Sequence, residues 1–211
     1  MRALLGYRLA SLARSQRWAA PSVLFVVVIA VAAWNDAGPL LSLYGVCSAT
    51  LLAAATWLGM ATVNLEDPAQ RAITLVTAGH RATLASQAGT AMLGCVGLAA
   101  VGVVLAVVVG HHTITPGVLL LGAGGQLGCA CVGVSIAMLC CRWVLGYALL
   151  AAVLLVVLAI IVPGASPVNP LLHALSGDHP SALVVLALDA AAVAVLLGGV
   201  ELAHQVARRR D

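Results

Sequence analysis

Side chains able to do chemistry are few and scattered in this chain. Only 8% of its 211 residues are charged, and every one of the ten basic residues is an arginine. Without lysine there is no phosphate-gripping P-loop, so the glycine cluster GAGGQLG at 122–128 is not a nucleotide site, and no Schiff base can form. A formal charge of +3, spread along the chain, is too weak to hold nucleic acid. The six cysteines, Cys47, Cys95, Cys129, Cys131, Cys140 and Cys141, all fall inside apolar runs. None is spaced C-x-x-C, and Cys129 and Cys131 point to different faces of a helix, so they read as small, buried, reduced thiols. His111, His112, His173 and His179 lack zinc-like spacing and read as loop histidines. No catalytic, metal or cofactor-binding residue is assigned. Asp189 is the one acid well inside an apolar run, where a carboxylate faces either a pathway or a bonding partner on a neighbouring helix. Gln126 and Ser135 are polar enough to bond across helices, and Gln126 joins Asp189 as a candidate lining of a substrate path.

Composition decides what must position these residues. With 63% hydrophobic residues and a mean hydropathy of +1.10, the chain is expected to be an all-α, polytopic membrane protein, a single domain over residues 1–211. Residues 1–17 form a basic segment whose Leu5, Leu9 and Leu12 share one helical face, suited to lying in the membrane interface before the first span. No small-residue cleavage site follows a short apolar core, so the first span reads as uncleaved. Six spans are expected, at about residues 18–34, 42–63, 84–109, 117–140, 144–162 and 182–203. Gly124 and Gly128 have the spacing that lets helices approach closely. Arg142 and Trp143 make the hairpin between the fourth and fifth spans. In the segment 163–181, Asn169 and Pro170 read as cap and first helical residue and Gly177 as a stop, which predicts a short outer helix over 171–175.

One polar interval is long enough to fold by itself, residues 64–83 and the few that follow. Asp67 can cap a helix, Pro68 suits its first position, and Gln70 can complete a capping box. Ala69, Ala72, Ile73 and Val76 recur at helical spacing, and Gly79 supplies a stop. All ten arginines then fall on one side of a six-span layout and none on the other. The positive-inside rule puts that side, with both termini and the amphipathic helix, in the cytoplasm of a plasma (inner) membrane protein.

This order of elements, a basic elbow, six spans, a capped amphipathic helix between spans two and three, and a helical outer segment between spans five and six, resembles the permease subunit of an ATP-binding-cassette exporter of the bacterial drug, antibiotic and polysaccharide type. The resemblance covers nearly the whole chain. Its most specific stretch is EDPAQRAITLVTAGHRATL, residues 66–84, although Arg71, Ala72 and Ile73 replace the glycine, threonine and glutamate more usual in that pattern. The resemblance implies that the short helix is a coupling helix seated in an ATPase subunit through Glu66, Asp67, Gln70, Arg71 and Thr74, with Leu5, Leu9 and Leu12 in the elbow. It implies ATP and Mg on that separate subunit, no cofactor here, a second permease chain as a dimer partner, and membrane lipid around the assembly. Haem export of the cytochrome-maturation type is a variant differing in cargo. Two other classes compete: a membrane-embedded redox or metal-dependent enzyme using the cysteines or outer histidines, and a non-transporting scaffold whose cytoplasmic helix only recruits a partner.

Overall fold

The computed structural model describes residues 2–35, 40–109, 115–143, 148–176 and 181–210, and they form eight α-helices and no strand. These are α1 (Arg2–Ser15), α2 (Ala19–Asn35), α3 (Leu40–Val63), α4 (Pro68–Val109), α5 (Pro116–Trp143), α6 (Ala148–Ile161), α7 (Val168–Ser176) and α8 (Ala182–Arg210). Four of them, α3, α4, α5 and α8, contain stretches long and apolar enough to cross a membrane. A fifth crossing is available if α1 and α2, which meet at 73°, are taken together. The apolar α6 has only 14 residues, about 21 Å of helix against a hydrocarbon core of about 30 Å.

Helix α3 is the axis of the bundle. It packs most extensively on α5, which in turn packs on α8, while α2, α4, α6 and α7 surround this centre. Tyr44, Leu51, Leu52 and Leu58 of α3 are shut off from solvent, as are Ala130, Val134 and Met138 of α5. The outer faces are equally apolar: Val27 and Val31 of α2, Leu150 and Leu154 of α6, and Leu183, Leu186 and Leu197 of α8 are exposed. A bundle apolar both inside and outside finds its low-energy surroundings in lipid. Hydroxyls in such surroundings are satisfied by their own helix: Ser48 donates to the Tyr44 carbonyl, Thr56 to Leu52, Ser86 to Thr83 and Thr90 to Ser86.

The amphipathic helix and the third expected span are continuous in α4 except at Gly79, where φ is 78° and ψ 161°. Only glycine occupies that region readily. The stop expected at Gly79 is therefore a break within α4, with residues 68–78 on one side and 80–109 on the other. The Thr83 hydroxyl donates to the Gly79 carbonyl at 2.9 Å and fastens the new turn.

Three local expectations need correction. Leu12 is buried and Leu5 and Leu9 half-buried on the side of α1 that packs against α4, so this leucine face meets protein rather than lying open in the interface. Gln70 does not complete a capping box. Its amide donates to Tyr7 Oη at 3.1 Å, and Asp67 contributes its backbone carbonyl, which accepts the Arg71 N–H at 2.9 Å. The outer helix starts earlier than expected, because Ser166 Oγ accepts the Val168 N–H at 3.2 Å and donates to the Ala159 carbonyl at 3.0 Å. Asn169 instead donates to the Ile160 carbonyl at 2.7 Å, tying α7 to α6. Leu171 and Leu175 are wholly buried, so α7 plugs the end of the bundle against α3, α5 and α8.

Candidate functional site

The site is built at the end of the bundle where the arginines gather. The connection from α3 into α4 places Glu66 beneath α1, and there Arg8 Nη2 lies 2.8 Å from Glu66 Oε1 with both side chains almost entirely closed to solvent. Burial pulls the Arg8 guanidinium below its ordinary pKa, and the Glu66 carboxylate opposes that shift. Arg71, half-buried, is close enough to add to the positive potential at Arg8. With the Gln70–Tyr7 hydrogen bond, this pair clamps the first turn of α4 to the elbow helix. Arg17, in the bend between α1 and α2, donates to the Asn64 carbonyl at 2.7 Å. Arg81 meets Glu201 of α8 at 2.9 Å in an exposed pair, which at the surface contributes little stability.

What this clamp holds out is apolar. Ala69 and Ala72 are exposed, Ile73 is 65% exposed and Val76 88% exposed. The expected stripe therefore forms on residues 68–78, and no part of the described chain covers it. The five expected coupling residues separate by role. Glu66 and Gln70 are engaged internally with Arg8 and Tyr7, and the Thr74 hydroxyl is bonded to the Gln70 carbonyl at 2.9 Å. Asp67 is exposed and Arg71 half-buried beside the stripe. Tyr7 and Arg8 escaped the sequence reading. A signal for Arg8 exists: it falls between Leu5 and Leu12 on the apolar face of α1, where a charge requires a buried partner.

Asp189 and Gln126, the two candidate path residues, do not meet. Asp189 projects from α8 onto Gly124 and Gly128 of α5, so closely that a Cβ on either glycine would collide with the carboxylate. Its Oδ1 is buried without a hydrogen-bond partner. Gln126, two residues from each glycine and therefore on the far side of α5, faces Gly102 of α4 and Phe25 of α2. It is fully buried, with neither amide atom partnered. The predicted interhelical bond is made instead by Ser135, whose hydroxyl donates to the Val195 carbonyl of α8 at 3.2 Å.

Cys47, Cys95, Cys129, Cys131 and Cys140 are buried free thiols. The Cys141 and Arg142 side chains, His111, His112 and His179, and Gly177 lie outside the described residues, as do the side chains of Arg208, Arg209 and Arg210. Among the described residues no three His, Cys, Asp or Glu side chains converge as a metal site. Compared with known proteins, the chain matches no family model, no curated protein and no solved structure.

Proposed function

We propose that this chain is the permease subunit of an ATP-binding-cassette exporter, with residues 68–78 as its coupling helix and α1 as its elbow. The observation that carries the reading is the uncovered stripe Ala69, Ala72, Ile73 and Val76, held rigidly at the arginine-rich end by the Arg8–Glu66 pair. An apolar helix face fixed in place by a buried ion pair suits transmission of force from a soluble partner, because a push on it reaches α1 and the α3–α4 connection together. The partner is a separate ATPase carrying ATP and Mg, and this chain supplies no catalytic residue for hydrolysis.

In this reading α2 through α6 and α8 supply six spans, with α2 and the short α6 each crossing once and α7 closing the outer side. The arginine end and both termini are cytoplasmic by the positive-inside rule. Two such chains, or this chain and a related permease, enclose the path. A photo-crosslinking amino acid placed at Val76, in membranes of the native host, is expected to capture a nucleotide-binding protein. Capture of lipid alone, with the chain folded and abundant, contradicts the proposal.

A further inference from the structure

A groove runs down the bundle between α3 and α6. At the arginine end it is an opening of about 480 Å³ bordered by Arg17, Ala20, Asn64 and Ala148. Trp57, Met60 and Leu149 line that opening and also the next, of about 230 Å³, which continues past Ala53, Ala152 and Val156. The two share these three side chains and form one channel along the outside of α3. Its polarity is graded. The mouth has a cation and an amide, and the remainder is hydrocarbon apart from Thr56, whose hydroxyl is bonded to the Leu52 carbonyl.

Arg17 is fixed there. One of its N–H groups donates to the Asn64 carbonyl at 2.7 Å, while the residue stays exposed. No carboxylate lines either part of the groove among the described residues. A guanidinium anchored at the mouth of a hydrocarbon channel, without an internal counter-ion, has the shape and charge of a receptor for a phosphate-headed amphiphile.

We infer that this groove binds an anionic phospholipid from the leaflet on the arginine side, its phosphate at Arg17 and one acyl chain laid along Trp57, Met60 and Val156. Charge complementarity selects the headgroup and the graded lining orients the chain. A second protein copy over the same face would bury Arg17 without supplying an anion, so lipid is the occupant that satisfies the mouth. The inference requires only that the bundle sits in a bilayer, and it is independent of the ATPase partnership.

The test uses the full-length protein in phosphatidylcholine bilayers with Trp18, Trp34 and Trp143 replaced by phenylalanine, leaving Trp57 as the sole fluorophore. Phosphatidylglycerol brominated on its acyl chain is expected to quench Trp57 at about one-fifth the mole fraction needed by brominated phosphatidylcholine, the advantage one arginine gives at a membrane surface. Arg17→Gln should remove that preference and Arg17→Lys keep most of it. Ala53→Phe, at an exposed position, should weaken quenching by both lipids. Equal quenching by the two lipids, Trp57 shielded from both by a second copy, or loss of the preference on adding free glycerol phosphate would each overturn the inference.

Discussion

Arg8 and Glu66 meet at 2.8 Å in a setting that excludes water from both, although one belongs to the first helix and the other to the connection after α3. Removing either partner leaves a buried charge unanswered. Arg8→Ala or Glu66→Ala should destabilise the protein by about 3 kcal/mol, the lower end of what breaking a buried pair costs. The double substitution Arg8→Leu with Glu66→Leu should recover most of that loss. Thermal unfolding in detergent, run as a double-mutant cycle, measures the coupling directly.

Gly79 joins the amphipathic part of α4 to its membrane part at a φ of 78° and ψ of 161°. Gly79→Ala forces either strain of about 1–3 kcal/mol or a straight helix through the break. The second outcome would swing residues 68–78 away from α1 and separate Gln70 from Tyr7. A distance between spin labels at positions 10 and 76 should therefore change in Gly79→Ala and remain unchanged in Ala78→Gly, a control beside the break.

Gly128 faces the Asp189 carboxylate so closely that no side chain fits between them. Gly128→Ala should cost about 1–3 kcal/mol by overpacking. Combining it with Asp189→Ala should recover much of that cost, because the obstructing atoms are gone. Additive losses in the unfolding midpoint would contradict the contact.

Ile73 and Val76 project from the bundle and touch little of it. Ile73→Glu and Val76→Glu should change stability by no more than about 0.5 kcal/mol, as expected of exposed sites, while abolishing association with the ATPase. Loss of folding in either variant, measured by size-exclusion profile and melting, would show that the stripe is packed within the chain itself.

Much of this architecture is legible in the sequence because membrane helices announce themselves by continuous apolarity, and the breaks fall at Pro, Gly and Asn. The amphipathic helix is legible from the spacing of Ala69, Ala72, Ile73 and Val76, and the end of that helix from Gly79. What periodicity does not carry is which polar group meets which. Gln70 has a local option, the capping box, and takes the distant Tyr7 instead; Asn169 passes over its capping role to hold the Ile160 carbonyl. Asp189 and Gln126 look like companions by chemistry, yet helical geometry puts them on opposite sides of α5. Long-range pairing depends on how helices are rotated in the packed bundle, and a mean hydropathy uniform on all faces leaves that rotation unspecified.

The central claim is that residues 68–78 engage an ATPase, and the most direct measurement is co-purification of the intact protein from its native membranes, with and without Arg71→Glu, followed by an assay of ATP hydrolysis in the eluate. The account predicts a nucleotide-binding subunit and ATPase activity with the wild-type chain, both strongly reduced by Arg71→Glu. No ATPase with either form, from membranes where the protein is folded and abundant, would contradict it.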